Sequence, residues 1–569
     1  MRAISTPHSL KTLSAPLLGA LLLLGCQPEL ADVPRIEAAR LSETVRVLAS
    51  DEFYGRAPGG PGEQLTVDYL IERFSELGLE PAGERGGWTQ SVPLVHTQIA
   101  DTSEAPAMLR VAAQGGDLEL LQGRDVEFST TRGVERALIE DAPIVFVGHG
   151  AFAPERGWDD FGDVDLAGKL AVFRGNDPDF SATADEAVSG LFGGKRMTYY
   201  GRWTYKFEEA ARRGALAALV VHDEAGAGYG WSVASSSPGE NYSIARSEDS
   251  LAPPLLQGWL HEDAATALFA RAGIDLEAQR RRARSPDFEA FELGAVSLFA
   301  DLAVDREVVQ SQNVLARLPG RARPDETIVV SGHWDAYGVG APDAQGRTVR
   351  PGANDDALGI AGVIELARVL SAGEAPERSV LFAAWTAEES GLLGSEASAA
   401  APLYPLETTV ANFTLDILQT AGLARDVIQV GEGQSELERD LERAAALQGR
   451  TVTPENLPEN GLFFRADHFS LARRGVPVLL LMGIAGGADL LEGGREAGDQ
   501  WIADYTGNCY HQTCDAWSED WDLSGAVQDI EVFHTIISDL ANSTRWPELL
   551  PSSEFKAIRD QSRPSRDRR

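Results

Sequence analysis

Between residues 311 and 482 the chain alternates short apolar runs with longer stretches of helical spacing. Thr327–Ser331, Ser379–Trp385, Thr408–Leu415 and Val476–Met482 read as strands with no polar face, and Ala357–Leu370, rich in Ala, Ile and Leu, reads as a helix. Strands apolar on both sides and alternating with helices predict a sheet covered on both faces. The expected fold class is therefore α/β, a mixed, mostly parallel sheet sandwiched by helices. In such sheets ligands bind beyond the carboxyl ends of the strands.

Upstream, Pro34–Ser50 and Gly62–Leu77 have the spacing of amphipathic helices. In the second, Leu65, Tyr69, Leu70, Phe74 and Leu77 fall near one stripe. Asp51–Gly60 between them is turn-rich. From about 126 to 295 the texture changes to short strands (Ala142–Gly148, Lys169–Arg174, Ala217–His222) and a helix from Phe207 that ends in Gly214. This predicts a compact, β-rich insert the size of one small domain. The expected organisation is a leader at 1–26, the first part of the main domain at 27–125, the insert at 126–295, the rest of the main domain at 296–545 and a tail at 546–569.

Composition narrows the partners. A formal charge of −36 over 569 residues repels nucleic acid and anionic membrane surfaces. The first residues carry Arg2 and Lys11, then an apolar core from Leu17 to Leu24 that is too short to span a bilayer. This segment runs into Leu23-Leu24-Gly25-Cys26, which resembles the lipobox of bacterial lipoproteins. The resemblance implies cleavage before Cys26, a lipid on that cysteine and, with Gln27 following it, an outer-membrane address facing the periplasm or the exterior. Membrane contact is expected only through that anchor. Cys509 and Cys514 then remain, and an exported chain makes a disulfide between them the expectation.

The strand ends carry the chemistry. His333-Trp334-Asp335 follows the strand ending at Ser331. Asn354-Asp355-Asp356 precedes the helix at Ala357. Glu388-Glu389 follows the strand ending at Trp385, and Asp416 follows Leu415. Each group alone is commonplace, but together they deliver imidazole and carboxylate donors to one sheet edge. Those are the donors zinc accepts, and a carboxylate can bridge two ions.

With Ser331-Gly-His-Trp-Asp335, Pro351–Gly359, Ala384–Ser395, Asp416, Arg465-Ala-Asp-His468 and Tyr510-His511, the chain resembles the zinc-dependent exopeptidases that include bacterial leucyl aminopeptidases and glutamate carboxypeptidases. The resemblance implies two Zn2+ per chain. His333 and Asp416 would hold one, Glu389 and His511 the other, and Asp355 would bridge them. Asp335 would accept the second ring N–H of His333, Glu388 would be the general base, and the Asp355–Asp356 peptide would be cis. Arg465, Asp467, His468 and Tyr510 would lie at the substrate pocket. His511 comes from the resemblance alone. Asp356, Leu358 and Thr414 stand where many members have Asn, Ser and Asn.

The insert resembles a protease-associated domain through Gly148-His-Gly150, Asp165–Lys169 and Lys206–Ala215. Together these features imply a metallopeptidase acting at the end of a peptide. The loops from 331 to 395 carry only Arg347, Arg350, Arg368 and Arg378, which favours an aminopeptidase over a carboxypeptidase or dipeptidase. Arg196, Arg202 and Arg465 keep the carboxylate-gripping alternative open. Readings of another class are a receptor-like binding protein without activity and a one-zinc glutaminyl cyclase.

Overall fold

The computed structural model describes residues 34–102, 106–227, 229–235, 238–245 and 251–567. The expected leader, with Cys26, lies outside them.

Six strands build the principal sheet: β1 (Thr89–Ile99), β2 (Phe291–Leu318), β3 (Arg323–His333), β4 (Arg378–Trp385), β5 (Thr409–Leu415) and β6 (Val478–Leu481). Their order is β6-β5-β3-β4-β2-β1. The first four are mutually parallel, with Ile328 opposite Val380 and Leu415 opposite Leu481. β2 and β1 continue the sheet as antiparallel strands, and short strands at 240–244 and 80–81 flank β1 and β2. Alternate side chains explain the unbroken apolar runs. Ile328, Val330, Phe382, Ala384, Phe413 and Leu415 enter the core on one face. Val329, Leu381, Ala383 and Trp385 enter the core on the other. Each such Val, Ile, Leu or Phe side chain, fully buried, contributes about 1.5–3 kcal/mol.

The first face is covered by α1 (Ala38–Leu48), α2 (Glu63–Glu76), α3 (Leu358–Ser371) and α4 (Ser524–Ala541). They contribute Leu41, Val45, Leu70, Phe74, Val363, Leu366, Ile530 and Phe533 to one cluster. The stripe of α2 differs from expectation by a small rotation: Leu65 is 45% exposed, and Val67, Leu70 and Phe74 are the buried positions.

A second sheet occupies the region of the insert. Strands at 136–146, 170–174, 217–222 and 256–261 run parallel, and 126–129 pairs antiparallel to the last. The hairpin 108–113/118–121 also joins it, so this sheet draws on residues upstream of the expected edge at 126. The expected edge at 295 falls inside β2, whose 28 residues pair with the second sheet first and the principal sheet afterwards. The pairing shifts register between Glu292 and Ser297, and the inward positions Leu298, Ala300, Leu302 and Val304 then alternate without a break from the second sheet to the principal one, so the strand has no reason to break there.

Candidate metal centre

The donors collect at the carboxyl edge of the principal sheet. β3 ends on His333, β4 leads into Glu388-Glu389, and β5 leads into Asp416. Asp355 sits in the turn Ala353–Ala357 that opens α3, and its peptide to Asp356 is cis, as the resemblance implies. His511 arrives on a separate loop, with a left-handed backbone (φ 62°), inside the bonded pair Cys509–Cys514.

Asp355 is the centre of this arrangement. Its Oδ1 lies 3.2 Å from His333 Nε2 and its Oδ2 lies 3.2 Å from His511 Nε2. Glu389 Oε2 is 3.3 Å from the same His511 nitrogen, and Glu388 Oε2 is 4.0 Å from His333 Nε2. Donor atoms of His333, Glu388 and Asp416 all lie within 4.8 Å of one another, as do those of His333, Asp355 and Glu389. His333 Nδ1 is 3.1 Å from the Asp335 carbonyl. A ring N–H donated there leaves the Nε2 lone pair free to ligate. A small pocket lies against Asp355, Glu389 and His511, bounded by Tyr337, Arg350 and Gln512.

The electrostatics favour a cation here. Burial pushes the Glu388 and Glu389 carboxyls well above their usual range, and neighbouring carboxylates push them further. Burial and Asp355 raise Asp416 to about 8. Burial works against ionising Asp355, yet the two imidazoles beside it hold it well below the usual range. Glu389 Oε1 and His511 Nε2 are buried without a hydrogen-bond partner. Clustered carboxylates, two imidazole nitrogens and orphaned donor atoms fit a divalent cation such as zinc.

Residues 313–533 match the model of Peptidase family M28. These residues are an M28 peptidase domain. Probable zinc metalloproteases from Pyricularia oryzae (42% identical over 87 residues, 15% of this chain and 17% of that protein) and Pyrenophora teres f. teres (40% over 88 residues, 16% and 18%) are similar to part of this chain. The chain thus spans under a fifth of the length of these curated relatives (17% and 18%). An aminopeptidase from Aneurinibacillus sp. strain AM-1 aligns over 90% of this chain and 96% of its own, at 18% identity and a TM-score of 0.46.

Within the M28 domain Asp335 faces two neighbours. Its carboxylate Oδ1 lies 3.6 Å from His333 Nδ1, beside its own carbonyl at 3.1 Å. The carboxylate also accepts the backbone N–H groups of Glu388 (3.1 Å) and Glu389 (3.4 Å). A buried carboxylate needs donors, and the turn after β4 presents two in succession. Asp356 accepts from the backbone N–H of His333 and Gly359.

The four residues expected at the pocket separate into two kinds. Burial pushes His468 down to about 3, and its ring stands edge-on to Phe463 at 5.0 Å, a neutral core group. Asp467 has both carboxylate oxygens buried and unbonded, within electrostatic reach of Glu388 and Asp416. Burial opposes charge on Arg465, but Tyr510, Tyr229 and Glu388 more than restore it. Arg202, from the insert, is its neighbour: burial, then repulsion from Arg465, brings it down to about 10.

Two residues of this region escaped the sequence. Asp515 accepts from the backbone N–H of Asn354 (3.0 Å) and Asp355 (3.1 Å), while its carbonyl accepts from Ala353. Arg56, outside the M28 domain, donates to the carbonyls of Trp334 and Gly352 on either side of the donors. No side-chain pattern advertises either one, because apart from the Tyr505 hydroxyl on Asp515 their hydrogen-bond partners are backbone atoms.

Proposed function

We propose that this chain is a two-zinc metallopeptidase that releases single residues from the amino end of peptides. The observation that carries the reading is the split carboxylate of Asp355, one oxygen toward His333 and the other toward His511. His333 and Asp416 would hold one ion, Glu389 and His511 the other, and Asp355 would give one oxygen to each. Zinc bound there supplies Lewis-acid polarisation of the scissile carbonyl.

Glu388 does the proton work. It is buried at the meeting point of the donors and belongs to one of the two donor groups through His333. It takes a proton from the attacking water and returns it to the leaving amine, a role worth about 10²–10⁴-fold. Asp335 aims Glu388 by fixing its backbone. Asp467 offers unpaired negative charge to the substrate's α-ammonium.

One observation favours a second reading. Arg202, buried, and Arg465, half-buried, are neighbouring cations, and no ion pair joins either to a carboxylate among the described residues. A guanidinium pair suits a peptide's terminal carboxylate, as a carboxypeptidase or dipeptidase requires. Hydrolysis of one tripeptide in free, N-acetylated and C-amidated forms separates the two. Acetylation abolishes turnover and amidation spares it if the first reading holds; the reverse pattern overturns it. Glu388→Gln, with two zinc ions retained, should lower kcat by about 10²-fold or more.

We also propose that residues 1–26 act as a leader and that Cys26 carries the lipid that tethers the chain to the outer membrane. No helix among the described residues is long and apolar enough to cross a membrane. Palmitate labelling that survives Cys26→Ser would sink this assignment.

A further inference from the structure

Arg56 is fully buried, and among the described residues no carboxylate lies within ion-pair distance of it. Its guanidinium is satisfied by carbonyls: Nε donates to Trp334 (2.7 Å), Nη1 to Leu48 (2.8 Å) and Pro351 (2.6 Å), and Nη2 to Gly352 (2.8 Å). These acceptors belong to three segments. Leu48 ends α1, where helix carbonyls lack intrahelical partners. Trp334 separates His333 from Asp335. Pro351-Gly352 leads into the turn that carries Asp355.

The backbone is bent to deliver this side chain. Tyr54, Gly55 and Arg56 all have left-handed φ (49°, 67° and 53°), an unusual run for two residues with side chains. Gly55 is wedged so closely that a Cβ there would come 2.5 Å from the Arg350 carbonyl and 2.6 Å from that of Gly338.

We propose that Arg56 is a positioning residue of the metal centre, a buried clamp that fixes the His333 loop against the Asp355 loop and so sets the spacing of those two donors. The inference rests on the metal reading above. His333 Nε2 and Asp355 Oδ1 are 3.2 Å apart, and beside the single hydrogen bond from His333 N–H to the Asp356 carboxylate this guanidinium ties the two backbones at Trp334, Pro351 and Gly352. Lysine cannot replace it, since three donors on one nitrogen do not span acceptors held by a planar fork. The mean position of the charge, near Asp335, Asp515, Asp356 and Asp355, also keeps Arg56 ionised although burial pulls it down to about 10.

The test uses the whole mature chain and the variants Arg56→Lys and Arg56→Gln. Zinc affinity is measured by chelator competition, and Tm is recorded in EDTA and with zinc added. A clamp predicts affinity about 10–100-fold weaker in both variants and a smaller zinc-induced rise in Tm, with kcat falling and KM unchanged. A merely structural arginine lowers Tm equally in EDTA and in zinc and leaves zinc affinity at the wild-type value, which overturns the proposal. Failure of both variants to fold in either condition overturns it as well. A wild-type chain that takes up no zinc defeats the metal reading and this inference together; zinc uptake equal in wild type and variants defeats this inference alone.

Discussion

The carboxylate of Asp335 accepts the backbone N–H of Glu388 at 3.1 Å and that of Glu389 at 3.4 Å. One buried acid from the end of β3 therefore holds the turn after β4, which carries both the proposed base and a proposed zinc ligand. Asp335→Asn leaves an acceptor for one N–H and sets an amide N–H against the other. We expect kcat to fall about 10–100-fold with two zinc ions still bound. Full activity in the variant would show that the turn holds itself.

Among the described residues Asp355 puts one carboxylate oxygen 3.2 Å from each of the two imidazoles. Asp355→Ala should therefore lose both ions, whereas His511→Ala should lose only the one it shares with Glu389. Zinc per chain, measured by elemental analysis on desalted protein, decides the matter. Retention of one ion in Asp355→Ala would remove its shared role.

How much of this was legible follows from the kind of partner each residue has. His333, Asp355, Glu388, Glu389 and Asp416 could be read because apolar runs end where donor-type side chains begin, and a parallel sheet brings such ends to one edge. His511 has no strand to mark it and came only from the family pattern. Arg56 and Asp515 were invisible for a different reason: they bind backbone atoms 278 to 296 and 160 to 161 positions away along the chain. Periodicity records which face is apolar, not which carbonyl a guanidinium will reach. The unbroken strand from Phe291 to Leu318 hid the edge of the insert because both sheets ask for the same alternation.

Glu127 provides a pH prediction remote from the metal centre. It accepts from Gly239 N–H and Gln122 Nε2 through Oε1, while Oε2 is buried and unbonded. Burial raises its carboxyl to about 7 from 4.5. The folded chain thus keeps a proton that the unfolded chain releases, so stability falls as pH rises from about 4.5 to about 7 and is level above. Glu127→Gln retains the accepting oxygen and removes the ionisation. Its Tm should match wild type near pH 4 and exceed it at pH 8. A gain at pH 4, or none at pH 8, contradicts the assignment.

The last prediction concerns the bond between Cys509 and Cys514, five positions apart. His511 lies inside that small loop with a left-handed backbone, which a non-glycine residue adopts only when its surroundings enforce it. The loop is held by Tyr510 N–H to Tyr505, by Gln512 N–H to Cys509 and by the Tyr337 ring, whose centroid is 4.4 Å from that of His511. These contacts are few, and closing the loop covalently removes disordered conformations that would carry the imidazole away from Asp355. His333, Asp355 and Asp416 owe nothing to that loop, because strands and the turn before α3 place them. The Cys509→Ser, Cys514→Ser double variant should therefore bind one zinc ion at wild-type affinity and lose the second. Chelator titration should resolve two steps in wild type and retain only the tighter one in the variant, with activity restored by excess zinc. Two unchanged steps would mean that the noncovalent contacts alone hold His511 in place.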